Sequence, residues 1–142
     1  MIYLFSGVVK DTMKSMKSWV CLYIHVTLTN KAFKADLIQN TDQVLKDMDL
    51  NGRQGEHVVV VENTKTIHNL IVCTLCSCYP WPLLGLPPSW YKSDAYRSRA
   101  VREPRAVLND FNVDLPISKI VKVWDSTSEM RYLVLPQQPE IS

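Results

Sequence analysis

"VCTLCSCYPW", residues 72 to 81, sets three cysteines within six positions, with a serine between the last two. Thiols that close cannot cross-link distant parts of a chain, so the spread bridges of a small secreted domain are not what Cys73, Cys76 and Cys78 are for. The fourth cysteine, Cys21, stands alone and reads as a bystander. Immediately upstream, "EHVVVVEN" (56–63) and "TIHNLIV" (66–72) are β-branched runs separated by a polar turn. Both read as strands, so the cluster begins where a strand ends.

Further out, Phe33, Leu37, Val44, Leu45 and Met48 recur near one face of a helix spanning Asn30 to Met48, which Asn51-Gly52 should stop. After the cluster, the prolines of "WPLLGLPPSW" (81–90) forbid regular ladders; a broken helical region follows from Ser89 to about Arg102, and Pro104 opens a short helix to Phe111. "ISKIVKVW" (117–124) and "MRYLVLP" (130–136) alternate like two strands joined by the turn Asp125–Glu129. Helices flanking a block of strands predict an α+β fold rather than a doubly wound sheet.

At 142 residues the chain suits one domain with a real but modest core. Sixteen basic against fourteen acidic residues leave no polyanion-binding footprint, which argues against a nucleic-acid partner. The apolar stretches Met1–Val9 and Trp19–Thr27 fall short of the roughly 20 residues a membrane span needs, so no membrane is expected. Lys14 and Lys17 before the second stretch resemble a signal peptide, but no small-x-small cleavage site follows, and a cytoplasmic protein is expected.

A lone C-x-x-C can be half of a zinc site, completed by His57 or His68, although both histidines suit structural roles in strands or turns. It can also be a redox pair, although such a pair opens a helix and here prolines 80 and 82 follow at once. A further arrangement uses the i, i+2 spacing, which lets Cys78 sulfur and the main-chain nitrogens of Ser77 and Cys78 share one ion with Cys73 and Cys76. Amide nitrogen binds metal only after losing its proton, which demands a trivalent transition ion, and a sixth position stays open for water or substrate.

"CTLCSCYPWP" (73–82), "LGLPPSWYKS" (84–93), "GRQGEHVVVVEN" (52–63) and "VWDSTSEMRYLVLP" (123–136) together closely resemble the α subunit of nitrile hydratase, over about Asn30 to Gln138. The resemblance implies a layered α-β-β-α domain over 30–142 whose metal loop holds trivalent cobalt or iron through Cys73, Cys76 and Cys78 and the nitrogens of Ser77 and Cys78. It implies oxidation of Cys76 to sulfinate and Cys78 to sulfenate, and Thr74 matches the cobalt branch. The implied reaction hydrates a nitrile to an amide, either by Lewis-acid activation of water or nitrile or by attack of the Cys78 sulfenate oxygen. Gln54 matches a residue at the active-site cavity and Trp81 one on the pocket wall. Asp125, Glu129 and Arg131 match a network supporting the loop, although by pattern alone they form a charged hairpin turn.

Upstream of Asn30 the resemblance fades. Residues 1–29 read as a divergent leader in place of the family's longer helical arm, with "CLYIHVTLT" (21–29) an insertion or gene-model artefact, because Ser18-Trp19-Val20 runs smoothly into Asn30. The family implies a β subunit, in a heterodimer or heterotetramer, whose arginines hydrogen-bond the oxidised cysteines, and an activator chaperone is a further expectation. Thiocyanate hydrolase, with a similar cobalt loop, and a degenerate subunit without turnover are the competing expectations.

Overall fold

The computed structural model describes residues 29–138; Cys21, the leader and all but the last residue of 21–29 lie outside them. Two helices open the described chain, α1 (Lys31–Gln39) and α2 (Thr41–Asp47), where the periodicity predicts one. The break is local chemistry. Asn40 turns its amide to Asp36 Oδ1 at 2.7 Å and the Thr41 hydroxyl donates to the Leu37 carbonyl at 2.6 Å, so side chains take over what helical bonds would hold. The stop also comes earlier than Asn51-Gly52, at Asp49, whose φ of 57° ends α2 and lets Leu50 N reach the Leu45 carbonyl. Leu37, Val44 and Leu45 are buried and Phe33 partly so, but Met48 is exposed.

Strands β1 (His57–Glu62) and β2 (Ile67–Val72) follow, then α3 (Trp81–Leu84), a 3-10 turn at Ser89–Lys92, α4 (Asp94–Arg102), α5 (Pro104–Asp110), β3 (Ile120–Asp125) and β4 (Met130–Leu135). Prolines at 80 and 82 permit α3 because they sit at its N-terminus, and Gly85, at φ 76°, closes it. Ser93 caps α4 by accepting from Tyr96 N, and Pro104 starts α5.

The strands do not pair as their turns suggest. β1 lies parallel to β4 and β2 parallel to β3, in two separate two-stranded sheets. Each short turn therefore carries the chain from one sheet to the other, and 125–129 is a crossing between layers, not the closed end of a hairpin. Thr127 and Met130 close it with a main-chain bond of 2.8 Å. Hydrophobic contact explains the arrangement. Leu37, Val44 and Leu45 pack on Val58, Val60, Leu133 and Leu135, while Leu70, Ile71 and Val72 pack under Tyr96, Ala100, Val107 and Leu108. Val134, on the opposite face of β4 from its neighbours, joins the second cluster. The layers run helices, sheet, sheet, helices, the expected α-β-β-α order. β2 is covered on both faces, as the near-continuous apolar run of a parallel strand requires.

Parallel pairing has one consequence for the site. Val72 and Asp125 are register partners at the C-terminal ends of β2 and β3, so the cysteine loop and the 125–129 crossing leave the sheet side by side.

Away from that edge, buried His68 faces the Asn63 amide at 3.4 Å through Nδ1, while its Nε2 has no hydrogen-bond partner among the described residues. Burial, aided by the charge of Lys119, lowers its pKa from 6.5 to about 4. The folded value lies below the unfolded one. The stability contributed by the neutral ring is thus complete above about pH 6.5 and is lost as pH falls toward 4, by on the order of 3 kcal/mol. Melting temperature should fall more steeply across that window in the native chain than in His68→Gln, and equal slopes would refute the assignment.

Candidate metal centre

At the exit of β2 the chain turns on itself and brings three sulfurs together. Cys73 Sγ lies 3.3 Å from Cys76 Sγ, which lies 3.0 Å from Cys78 Sγ, and all three fall within 4.8 Å of one another. These separations are too long for a disulfide, which closes at about 2.0 Å, and the three cysteines are free. Cys73 is fully buried, Cys78 half-buried and Cys76 exposed, so the cluster is open on one side only.

The donor set fits a metal ion. Sulfurs about 2.3 Å from one ion stand about 3.8 Å apart at tetrahedral angles but about 3.3 Å apart at right angles. The observed 3.3 and 3.0 Å suit the right-angled arrangement of a six-coordinate ion. Neither His57 nor His68 joins the cluster among the described residues. His57 instead pairs with Asp42 at 2.7 Å, linking β1 to α2.

Electrostatics within the cluster are uneven. Hydrogen bonding from the Cys78 thiol holds Cys76 below the usual thiol range. Burial, with the neighbouring Cys76 thiol, pushes Cys78 up to about 12.

Both flanks of the loop are tied down. On the entry side Asp125 accepts from Thr74 N at 2.9 Å and from its hydroxyl at 2.6 Å, and Arg97 donates to the Thr74 carbonyl at 3.2 Å. On the exit side Tyr91 donates to the Cys78 carbonyl at 2.8 Å and Arg131 to the Tyr79 carbonyl at 2.9 Å. Beneath lies an aromatic floor in which the Tyr79 and Tyr91 rings stand 5.2 Å apart, and burial keeps both phenols well above their usual range, hence protonated donors. Tyr96 donates from the same floor to the Ile71 carbonyl.

The remaining residues singled out in the sequence separate into two groups. Asp125 and Arg131 touch the loop. Glu129 does not: its side chain is exposed, and it serves through its carbonyl, which accepts from His57 N at 2.8 Å and extends the β1–β4 ladder. Gln54 is an exposed turn residue whose own N–H is held by Glu56. Trp81, partly exposed, lines a cleft of about 350 Å³ with Arg53, Leu50 and Leu86. No local pattern marks Tyr91 or Arg97, because each acts on a carbonyl that only the folded chain brings near it, and the pairing of Glu56 with Arg131 likewise exists only in the fold.

A family model described as nitrile hydratase, alpha chain, matches residues 11–142, reaching upstream of Asn30. The chain belongs to the nitrile hydratase α-chain family. It is 57% identical over 113 residues to the nitrile hydratase α subunit of a Rhodococcus species, covering 79% of this chain and 57% of that one. It is 54% identical over 112 residues to the cobalt-containing nitrile hydratase α subunit of Pseudonocardia thermophila, covering 78% and 55%. The thiocyanate hydrolase γ subunit of Thiobacillus thioparus is 48% identical over 81 residues, 57% of this chain and 33% of that protein. Among solved structures, a double histidine mutant of Fe-type nitrile hydratase from Comamonas testosteroni Ni1 superposes with a TM-score of 0.78 at 39% identity, covering 82% of this chain and 57% of that one. The chain thus spans little more than half the length of these nitrile hydratase relatives. Among the described residues no helix is long and apolar enough to cross a membrane.

Proposed function

We propose that this chain is the metal-bearing subunit of an enzyme that hydrates nitriles to amides together with a β subunit. One observation carries the reading: three free sulfurs gathered within 4.8 Å of one another at the C-terminal end of β2, in a loop of the nitrile hydratase α-chain family. The proposed ligands are Cys73, Cys76 and Cys78 with the nitrogens of Ser77 and Cys78. Trivalent cobalt is favoured over iron by Thr74 and by the similarity to a cobalt-containing relative. When bound, such an ion supplies Lewis acidity toward a nitrile nitrogen or a water.

The chain's own residues hold the geometry. Asp125 fixes Thr74 at the loop entry, while Tyr91 and Arg131 fix the carbonyls at its exit, so the sulfurs cannot drift apart between turnovers. Cys76 and Cys78 are the accessible sulfurs, in keeping with their proposed oxidation to sulfinate and sulfenate; Cys73 is shielded by the core. The sulfenate oxygen of Cys78 is then one candidate nucleophile. Gln54 is proposed to face the substrate and Trp81 to bound its pocket.

Oxidised sulfurs are anions that need donors when covered. Arg97 and Arg131 direct their guanidinium groups to the carbonyls of Thr74 and Tyr79 instead, which leaves those donors to the β subunit. Leu75 and Leu86, 84% and 86% exposed beside the loop and the Trp81 cleft, fit a covering partner chain. Three adjacent free thiols suit a reducing compartment such as the cytoplasm.

The test is co-expression with a β subunit, with and without an activator, followed by elemental analysis, a search for a sulfur-to-metal charge-transfer band, and turnover of a nitrile panel and thiocyanate. Stoichiometric cobalt with amide formation is the expected result. A folded complex without metal would identify a degenerate subunit, and turnover of thiocyanate alone would assign the chain to the hydrolase.

A further inference from the structure

We infer that Glu56 is a positioning residue, whose buried carboxylate ties the turn bearing Gln54 to Arg131 and, through Arg131, to the exit of the cysteine loop. For its catalytic consequence the inference rests on the function proposed above; for its mechanical one it rests on the structure alone.

The Glu56 side chain is 2% exposed and that of Arg131 9%, with Arg131 Nη1 3.8 Å from Glu56 Oε1. The other carboxylate oxygen accepts from Gln54 N at 2.9 Å. The same Nη1 of Arg131 donates to the Tyr79 carbonyl at 2.9 Å, one residue beyond Cys78. One carboxylate thus sets the backbone of Gln54 and the arginine that holds the loop exit. The parallel β1–β4 pairing makes this possible, because Arg131 is the register partner of Val58, two residues after Glu56.

Gly52 makes room for it. A Cβ there would stand 2.6 Å from Glu56 Cγ and 2.7 Å from its carbonyl oxygen, so a side chain would force Glu56 aside. An apolar pair of similar volume could fill the space with no loss of stability. What the charged pair adds is an electrostatic link between two segments, and those segments carry the two sides of the proposed site. Displacing Glu56 should loosen both together.

The experiment uses the full chain, alone and with its β subunit, as Glu56→Gln and Gly52→Ala, with Leu45→Ala as a core control. Amide hydrogen exchange is followed over residues 52–56 and 76–81, alongside melting temperature, the charge-transfer band, kcat and KM. In both site variants exchange should rise about tenfold or more in both segments, the band should shift, and kcat should fall about 10- to 100-fold with metal retained. Leu45→Ala should lower the melting temperature at least as far without loosening 76–81 selectively. Native exchange over 76–81 in either folded site variant, or equal loosening in Leu45→Ala, overturns the inference. If the native complex makes no amide the proposed function fails, while the exchange measurements still decide the role of Glu56.

Discussion

Cys73→Ser should abolish metal retention, and amide formation by the β-subunit complex should fall to background with it. Cys73 is the one sulfur of the three that is fully buried, 3.3 Å from Cys76 Sγ and accepting from Cys76 N at 3.4 Å. It closes the cluster on its core side, where no water can substitute. A serine hydroxyl is a shorter, harder donor that stays protonated at neutral pH, and it cannot replace a thiolate toward a sulfur-preferring ion. The same change buries a hydroxyl among Val72, Tyr79 and Tyr91, at about 1–3 kcal/mol if it finds no partner. Elemental analysis of the purified complex, with a denaturation curve to show that the chain still folds, checks both parts. Cobalt at the native level in Cys73→Ser would remove this sulfur from the ligand set and with it the proposed centre.

Arg131→Met should have the largest effect on stability, about 3–5 kcal/mol, because it strands the buried carboxylate of Glu56 without a counter-charge. It also frees the Tyr79 carbonyl. The double variant Arg131→Met, Glu56→Gln should recover much of the loss, since no isolated charge then remains in the interior. The contrast is Arg99, which bonds Glu103 and Asp110 at 2.7 and 2.6 Å on an exposed face, where solvent screens the pairs and removal should barely move stability. Urea midpoints of the three variants measure this directly. A change in Arg131→Met no larger than in Arg99→Ala would mean that Glu56 is neutralised in some other way.

Both predictions concern residues whose importance was unevenly legible in the chain itself. Cys73, Cys76 and Cys78 stand out by spacing, because a loop that short cannot keep its sulfurs apart, while the ion they are proposed to share came from the resemblance. Arg131 and Asp125 stand out through resemblance, yet their pattern alone suggests a hairpin turn, and Glu56 is hidden in a strand-like run. Helix lengths misled where Asn40 and Thr41 compete with the backbone, an effect of single hydrogen bonds that periodicity does not register. Glu129 was legible as a charge near the loop, but its side chain faces solvent and only its carbonyl is used.

The amino-acid order by itself determined the local elements: four strands from runs of β-branched residues, helix starts at Asn30 and Pro104 with a broken helical stretch between Ser89 and Arg102, and a cysteine loop opening at a strand end. Which strand lies beside which was decided only in three dimensions. Alternation of apolar and polar side chains shows that a strand has a buried face, but it carries no record of the partner or of the direction in which the partner runs. Packing of two helical layers on two sheets selected β1 with β4 and β2 with β3. That choice set Asp125 beside Thr74 and Arg131 between Glu56 and Tyr79, across separations in sequence that no local pattern spans.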